Sequence, residues 1–275
     1  MPYDPIAEDP PSFDPAFPAT MAELTIDSHG AVVNAVLLVA QGRGPHPTVL
    51  LLHGFPGNER NFDLAQVLRR AGWNAIVFHY RGNWGSGGSF AFAHVLEDVR
   101  AALGHLRSAA WCRDYRIDSE RVVVIGHSLG GFAALHIAAD DATVRAVGSI
   151  SGCDAAVLAR DCRLGCGEAK SLCREALPRL QGTTPERLIN ELLAHESEWA
   201  LPGLAPRLAD RQLLLVAAAR DEALPMAEHH TPLLEALRAA GAPHVTTAVL
   251  DTDHCYGDRR VALARTVLAW LRQVG

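Results

Sequence analysis

The sequence predicts an α/β domain: a mostly parallel sheet that begins with an antiparallel N-terminal hairpin, carries helices on both faces and accepts an inserted helical cap. Three observations predict it. Short, continuously apolar runs alternate with helically spaced ones from Thr48 to Ile150, the rhythm of β-α-β units joined by right-handed crossovers. That rhythm stops over 153–210, where only helical patterns and loops remain, and resumes at Gln212. The chain has 275 residues, 49% of them hydrophobic, enough to bury one large core.

Residues 1–22 are rich in proline and acidic side chains and lack periodicity, which reads as an extended arm. Residues 23–28 alternate polar and apolar, His29-Gly30 makes a turn and 32–39 runs back, a β-hairpin. Residues 48–52 are apolar almost throughout, as suits a strand covered on both faces. Residues 60–71 place Phe62, Leu64, Leu68 and Ala71 at helical spacing and stop at Gly72. A strand over 73–79, a helix over 91–108, a strand over 121–125, a helix over 129–139 and a strand over 144–150 follow. The core is therefore assigned to 23–152 and 211–275, and the cap to 153–210. Within the cap, Thr183 and Glu186 fit a capping box with Pro185 in the first turn. Leu188, Ile189, Leu192 and Leu193 are expected to face the body, with Leu193 and Trp199 tuning substrate chain length. Beyond it lie a strand over 212–219, a helix over 226–240, a strand over 244–250 and a last helix over 258–273.

Charge and composition narrow the function. The net charge is −6 and the Lys and Arg residues are scattered, so no basic stripe is present to hold nucleic acid. The N-terminus, MPYDPIAEDPPSFDP, has neither the cationic start nor the apolar stretch of a secretory signal. No apolar run reaches the roughly 18 residues of a membrane span, and a cytoplasmic protein is expected. The six cysteines (Cys112, Cys153, Cys162, Cys166, Cys173 and Cys255) lack CxxC spacing, and the histidines form neither HxxxH nor HExxH. Reduced thiols and no metal are expected, with Cys255 an inert packed thiol. His229-His230 is read as solvated at a helix start. The oligomeric state is left open.

Four motifs carry the chemistry. Gly126-His127-Ser128-Leu129-Gly130 fits G-x-S-x-G between an apolar strand and a helix, the setting that raises a serine on a tight turn over the carboxyl edge of a sheet. His53-Gly54-Phe55-Pro56-Gly57 follows the strand at 48–52 and can supply one backbone donor, Phe55 N–H, to pair with Leu129 N–H; Pro56 has none to give. His53 is read as ordering this loop. Asp221 follows the strand that begins at Gln212, and His254 lies just past the strand at 244–250. The order Ser, Asp, His separates this arrangement from the other two serine-hydrolase orders. The Gly-rich run Arg81–Gly88 lacks the register of a phosphate loop and is assigned to the site's rim.

The segments LLLHGFPGN, FHYRGNWGSGG, IGHSLGG, AARDEALP and DTDHCYGDRR together resemble the α/β-hydrolase superfamily, in particular bacterial serine hydrolases related to dipeptidyl aminopeptidases and acylaminoacyl-peptidases. The resemblance spans residues 49 to 260. It implies Ser128 as nucleophile, His254 as base, Asp221 as acid, Phe55 and Leu129 as oxyanion donors, and no cofactor. Too few residues precede Thr48 for the β-propeller of the larger peptidases. The expected reaction is hydrolysis of a small acyl substrate through an acyl-enzyme. An ester asks less of the acid step than an amide. A peptidase, thioesterase or acyltransferase would use the same triad, and a catalytically silent binding protein would use the same scaffold.

Overall fold

The computed structural model describes residues 3–165 and 167–274. Eight strands form a sheet: β1 (Thr20–Ser28), β2 (Ala31–Val39), β3 (His46–Leu52), β4 (Asn74–Phe78), β5 (Ile117–His127), β6 (Ala146–Ile150), β7 (Gln212–Ala218) and β8 (Val245–Leu250). Their order is β1-β2-β4-β3-β5-β6-β7-β8. β2 pairs antiparallel with β1 and β4, and every other neighbouring pair is parallel. At the hairpin Ser28 pairs with Ala31, leaving His29 (φ 52) and Gly30 (φ 78) as a two-residue turn in the left-handed region, the backbone that matches strand twist.

The helices are α1 (Phe62–Arg70), α2 (Phe92–Leu106), α3 (Ala109–Asp114), α4 (Leu129–Asp140), α5 (Ala155–Leu164), α6 (Gly167–Ala176), α7 (Pro185–Ala194), α8 (Ala205–Leu208), α9 (Met226–His229), α10 (Thr231–Ala239) and α11 (Arg260–Val274). Side-chain alternation along the strands feeds two cores. Val49 and Leu51 of β3 pack with Leu64 and Leu68 of α1 and with Val267 and Trp270 of α11. Leu50 and Leu52 pack on the opposite face with Val95 and Val99 of α2 and Phe132 and Leu135 of α4. Both faces are thus covered, which is why β3 reads as nearly unbroken hydrophobe. Between β6 and β7 the described chain is helical or looped throughout, from α5 to α8. No helix among the described residues is long and apolar enough to cross a membrane.

Several local expectations need correction. β1 begins at Thr20, inside the stretch read as an arm, because Thr20, Met21 and Ala22 pair with Val39, Leu38 and Leu37; a ladder needs backbone partners, not a hydrophobic pattern. The cap of α7 is Thr184, not Thr183: its side chain accepts from Arg187 N–H, and Pro185, with its fixed φ, makes the residue before it the N-cap. The helix expected over 226–240 is two, broken at His230, since Pro232 has no N–H and its ring crowds the carbonyl four residues back. Trp199, expected to tune substrate length, is fully buried among Phe92, Phe132 and the stacked His195 and packs as a core residue.

Candidate active site

The turn at Ser128 is built by exclusion of side chains. Ser128 sits at φ 56, ψ −118, a strained region for a residue with a Cβ. A Cβ on Gly126 would lie 1.9 Å from Gly130 O, and one on Gly130 would lie 2.2 Å from Leu52 O. Only glycine lets β5, the turn and β3 come this close. The strain is opposed by backbone bonds: Ser128 N–H donates to Ile150 O, and Ser128 O accepts from Gly131, Phe132 and Cys153 N–H. α4 starts at Leu129, so its N-terminus, with unpaired N–H groups and positive dipole end, opens at the serine.

Asp221 and His254 hang from the carboxyl ends of the neighbouring strands β7 and β8. His254 Nδ1 lies 2.7 Å from Asp221 Oδ2, and Leu224 N–H donates to Asp221 Oδ1 at 2.8 Å. Burial alone would raise the Asp221 carboxyl, but the bond and charge of His254, with Leu224 N–H and the Ser151 hydroxyl, hold it below the ordinary carboxylate value. With Nδ1–H committed to a carboxylate, Nε2 is left as the acceptor. Of the carboxylates near these two in sequence, Asp251 accepts from Arg220 at 2.9 Å, Asp253 accepts from Gly257 N–H, and Glu222 is exposed.

Ser128, His254, Phe55 and Leu129 all line one cavity of about 400 Å³. Its wall is mostly apolar: Phe55, Phe92 and Leu224 from the sheet domain, and Leu158, Leu172 and Leu192 from α5, α6 and α7. Leu188 and Leu192 are buried, and Ile189 is partly so. Leu193, expected to tune chain length, lines a separate groove with Arg160, Arg163 and Glu196.

Residues that no motif singled out complete the surroundings. His127, the unspecified second position of G-x-S-x-G, donates from Nε2 to the main-chain carbonyl of His254 at 2.8 Å, and its ring packs on that of His254 at 4.8 Å between centroids. Burial, and then the charge of His254, push His127 down to about 3, so it stays neutral. Ser151 bonds both Tyr256 Oη and Asp221. His229 is buried, not solvated: its Nδ1 accepts from Asp154 N–H at 3.0 Å, and burial pushes it down to about 4. Cys112, Cys153, Cys162, Cys173 and Cys255 are free, and Cys255 is exposed where packing was expected; Cys166 lies outside the described residues. Among the described residues no group of three or more His, Cys, Asp or Glu is placed to hold a metal ion.

Residues 49–272 match the Alpha/beta hydrolase family. The chain belongs to that family. This α/β hydrolase is 28% identical over 218 residues to Esterase YjfP of Escherichia coli (strain K12), spanning 76% of this chain and 82% of that one. Est1E of Butyrivibrio proteoclasticus, solved with ferulic acid bound, superposes with a TM-score of 0.67 at 18% identity, over 91% of this chain and 98% of that chain. The acylaminoacyl peptidase of Pyrococcus horikoshii superposes with a TM-score of 0.67 at 16% identity, over 90% of this α/β hydrolase and 39% of the peptidase. At such identities the two superpositions speak for the fold.

Proposed function

We propose that this α/β hydrolase is a serine esterase that cleaves carboxylic esters of apolar acids through an acyl-enzyme. The observation that carries the reading is the 2.7 Å pair of Asp221 and His254 at the edge of a cavity that Ser128 also lines. His254 Nε2 takes the Ser128 proton as Oγ attacks the ester carbonyl. Asp221 fixes the tautomer and stabilises the imidazolium. Phe55 and Leu129 N–H groups receive the oxyanion, and His254 returns the proton to the leaving alcohol. Water then attacks the acyl-serine by the same route.

The helical segment 153–210 acts as a cap that sets substrate range, since Leu158, Leu172 and Leu192 supply one side of the cavity. An apolar acyl group suits these walls. The likeness to an enzyme named as an esterase supports ester over amide. Five free thiols suit a cytoplasmic setting.

A fluorophosphonate probe tests the nucleophile: it should label the wild-type chain, and Ser128→Ala should lose both labelling and turnover, on the order of 10³-fold or more. A panel of esters of increasing acyl length, run beside aminoacyl amides, tests the substrate class. Amide turnover exceeding that of every ester would make the chain a peptidase.

A further inference from the structure

The loop that carries Phe55 is held almost entirely through its carbonyls, and the segment 79–84 supplies most of the donors. Tyr80 Oη–H donates to His53 O at 2.9 Å. Asn83 Nδ2 and Trp84 Nε1 both donate to Pro56 O, at 3.0 and 2.8 Å. A third carbonyl, Gly54 O, accepts from His53 Nδ1 at 2.7 Å. Gly54 C=O and Phe55 N–H are the two ends of one peptide group.

The bond at Gly54 fixes the direction of a longer chain. A carbonyl only accepts, so His53 Nδ1 carries the proton and Nε2 is a bare lone pair. That lone pair lies 3.4 Å from His79 Nδ1, which is then its donor. His79 Nε2 is left as an acceptor and lies 3.4 Å from Arg60 Nη1; a guanidinium only donates. Both ends agree on one direction. Burial keeps the two imidazoles neutral, His53 down to about 3 and His79 down to about 4, with Arg60 adding to the second shift. Arg60 is held in place by aromatic faces, its Cζ 5.2 Å from the Trp84 ring centroid and 5.7 Å from that of Phe62. Gly57 permits the approach: a Cβ there would lie 2.7 Å from Trp84 Nε1 and 2.8 Å from His53 Cε1.

We propose that Arg60 and His79 are positioning residues for the oxyanion hole: the one-way chain Arg60 to His79 to His53 to Gly54 C=O polarises the Gly54–Phe55 peptide and holds its N–H toward the developing oxyanion. The proposal rests on Phe55 N–H being an oxyanion donor. A hydrogen bond at the oxygen of an amide strengthens the donor at its nitrogen, and linked bonds polarise one another. The terminal link is short, while the two outer links are long and correspondingly weaker. Losing the chain should therefore cost about threefold to tenfold in kcat, well below the roughly 10²- to 10³-fold that follows loss of an oxyanion donor itself.

The test uses the full chain with His79→Ala, His79→Gln, Arg60→Met and Ser128→Ala. For each, kcat and KM are measured on one ester, with the inhibition constant of a trifluoromethyl ketone that adds to the serine as a tetrahedral hemiketal, and the thermal midpoint. His79→Ala and Arg60→Met should lower kcat and inhibitor affinity in parallel and leave KM within about twofold. His79→Gln, whose amide offers a donor and an acceptor, should recover most of the loss. Unchanged kcat and inhibitor affinity in a folded Arg60→Met or His79→Ala would overturn the proposal. So would a loss confined to KM, or a glutamine variant no better than alanine. Normal turnover by Ser128→Ala would instead overturn the serine-hydrolase reading and this proposal with it; an inactive Ser128→Ala beside fully active chain variants removes this proposal alone.

Discussion

Replacing Asp221 by asparagine keeps the shape of the side chain and leaves it one acceptor where the carboxylate has two. Both carboxylate oxygens are in use, Oδ1 by Leu224 N–H and Oδ2 by His254 Nδ1. If the asparagine oxygen stays with Leu224, its NH2 faces His254 Nδ1. The imidazole then protonates at Nε2, where it cannot accept from Ser128. If the amide flips, its NH2 opposes Leu224 N–H, and a buried donor goes unpaired at a cost of about 1–3 kcal/mol. Either way the negative charge opposite the imidazolium is gone. Two unit charges about 4 Å apart at an effective dielectric of about 20 interact by ~4 kcal/mol, which is ~10³-fold at about 1.36 kcal/mol per decade. The expected fall in kcat/KM is therefore roughly 10²- to 10⁴-fold, with Ser128 labelling slowed alike and the circular dichroism unchanged. Asp251→Asn and Asp253→Asn should each cost less than about threefold, because their carboxylates face Arg220 and Gly257 N–H. Near-normal turnover in Asp221→Asn, with activity abolished by Asp251→Asn or Glu222→Gln, would refute the assignment.

Three further outcomes are expected. Trp199→Ala should destabilise the fold by about 3–5 kcal/mol in denaturant titration and leave the order of ester preference unchanged, because Trp199 is a core side chain outside the cavity. Leu158→Phe, which adds volume to the cavity wall, should move the optimum on an ester panel toward shorter acyl chains; an unchanged profile would show that α5 does not shape the acyl site. Stability should be greatest above pH 6.5 and fall as the pH drops below it. Buried His53, His127, His136 and His229 are held down to about 3, 3, 4 and 4, so the unfolded chain binds more protons than the folded one below pH 6.5. Each contributes up to ~1.4 kcal/mol of loss per pH unit, and a thermal midpoint flat from pH 7.5 to 5 would contradict this.

Much of the fold could be read in advance because buried parallel strands leave a simple trace. The runs ending at Leu52, Ile125 and Ala218 are apolar, and loops at the carboxyl ends of parallel strands must share one edge of the sheet. That is why residues as distant as Phe55, Ser128 and His254 meet at one cavity. The glycines flanking Ser128 were legible for a steric reason, since two backbones occupy the space where their Cβ atoms would be. What stayed hidden depends on partners far along the chain. His229 is buried because Asp154 N–H, at the far end of the 153–210 segment, meets its ring. Trp199 is enclosed by Phe92 and Phe132, which no local pattern links to it. Periodicity alone shows neither the break at His230, which Pro232 imposes, nor the early start of β1, which the hairpin ladder sets.

Asp221 and His254, the proposed acid and base, hang from β7 and β8, whereas Ser128 follows β5 in the middle of the sheet. β8 ends the strand order, pairs with β7 alone and keeps Val249 half exposed. Outer strands open at lower free energy than central ones. Warming should thus withdraw His254 from the serine while the nucleophile turn and the two cores are still intact. The temperature at which turnover fails would then lie below the temperature at which the chain melts. A covalent adduct that also engages His254 would draw the two together, since it occupies only the closed arrangement. For this hydrolase, working lifetime would be governed by fraying at one margin of the sheet and not by the strength of its centre.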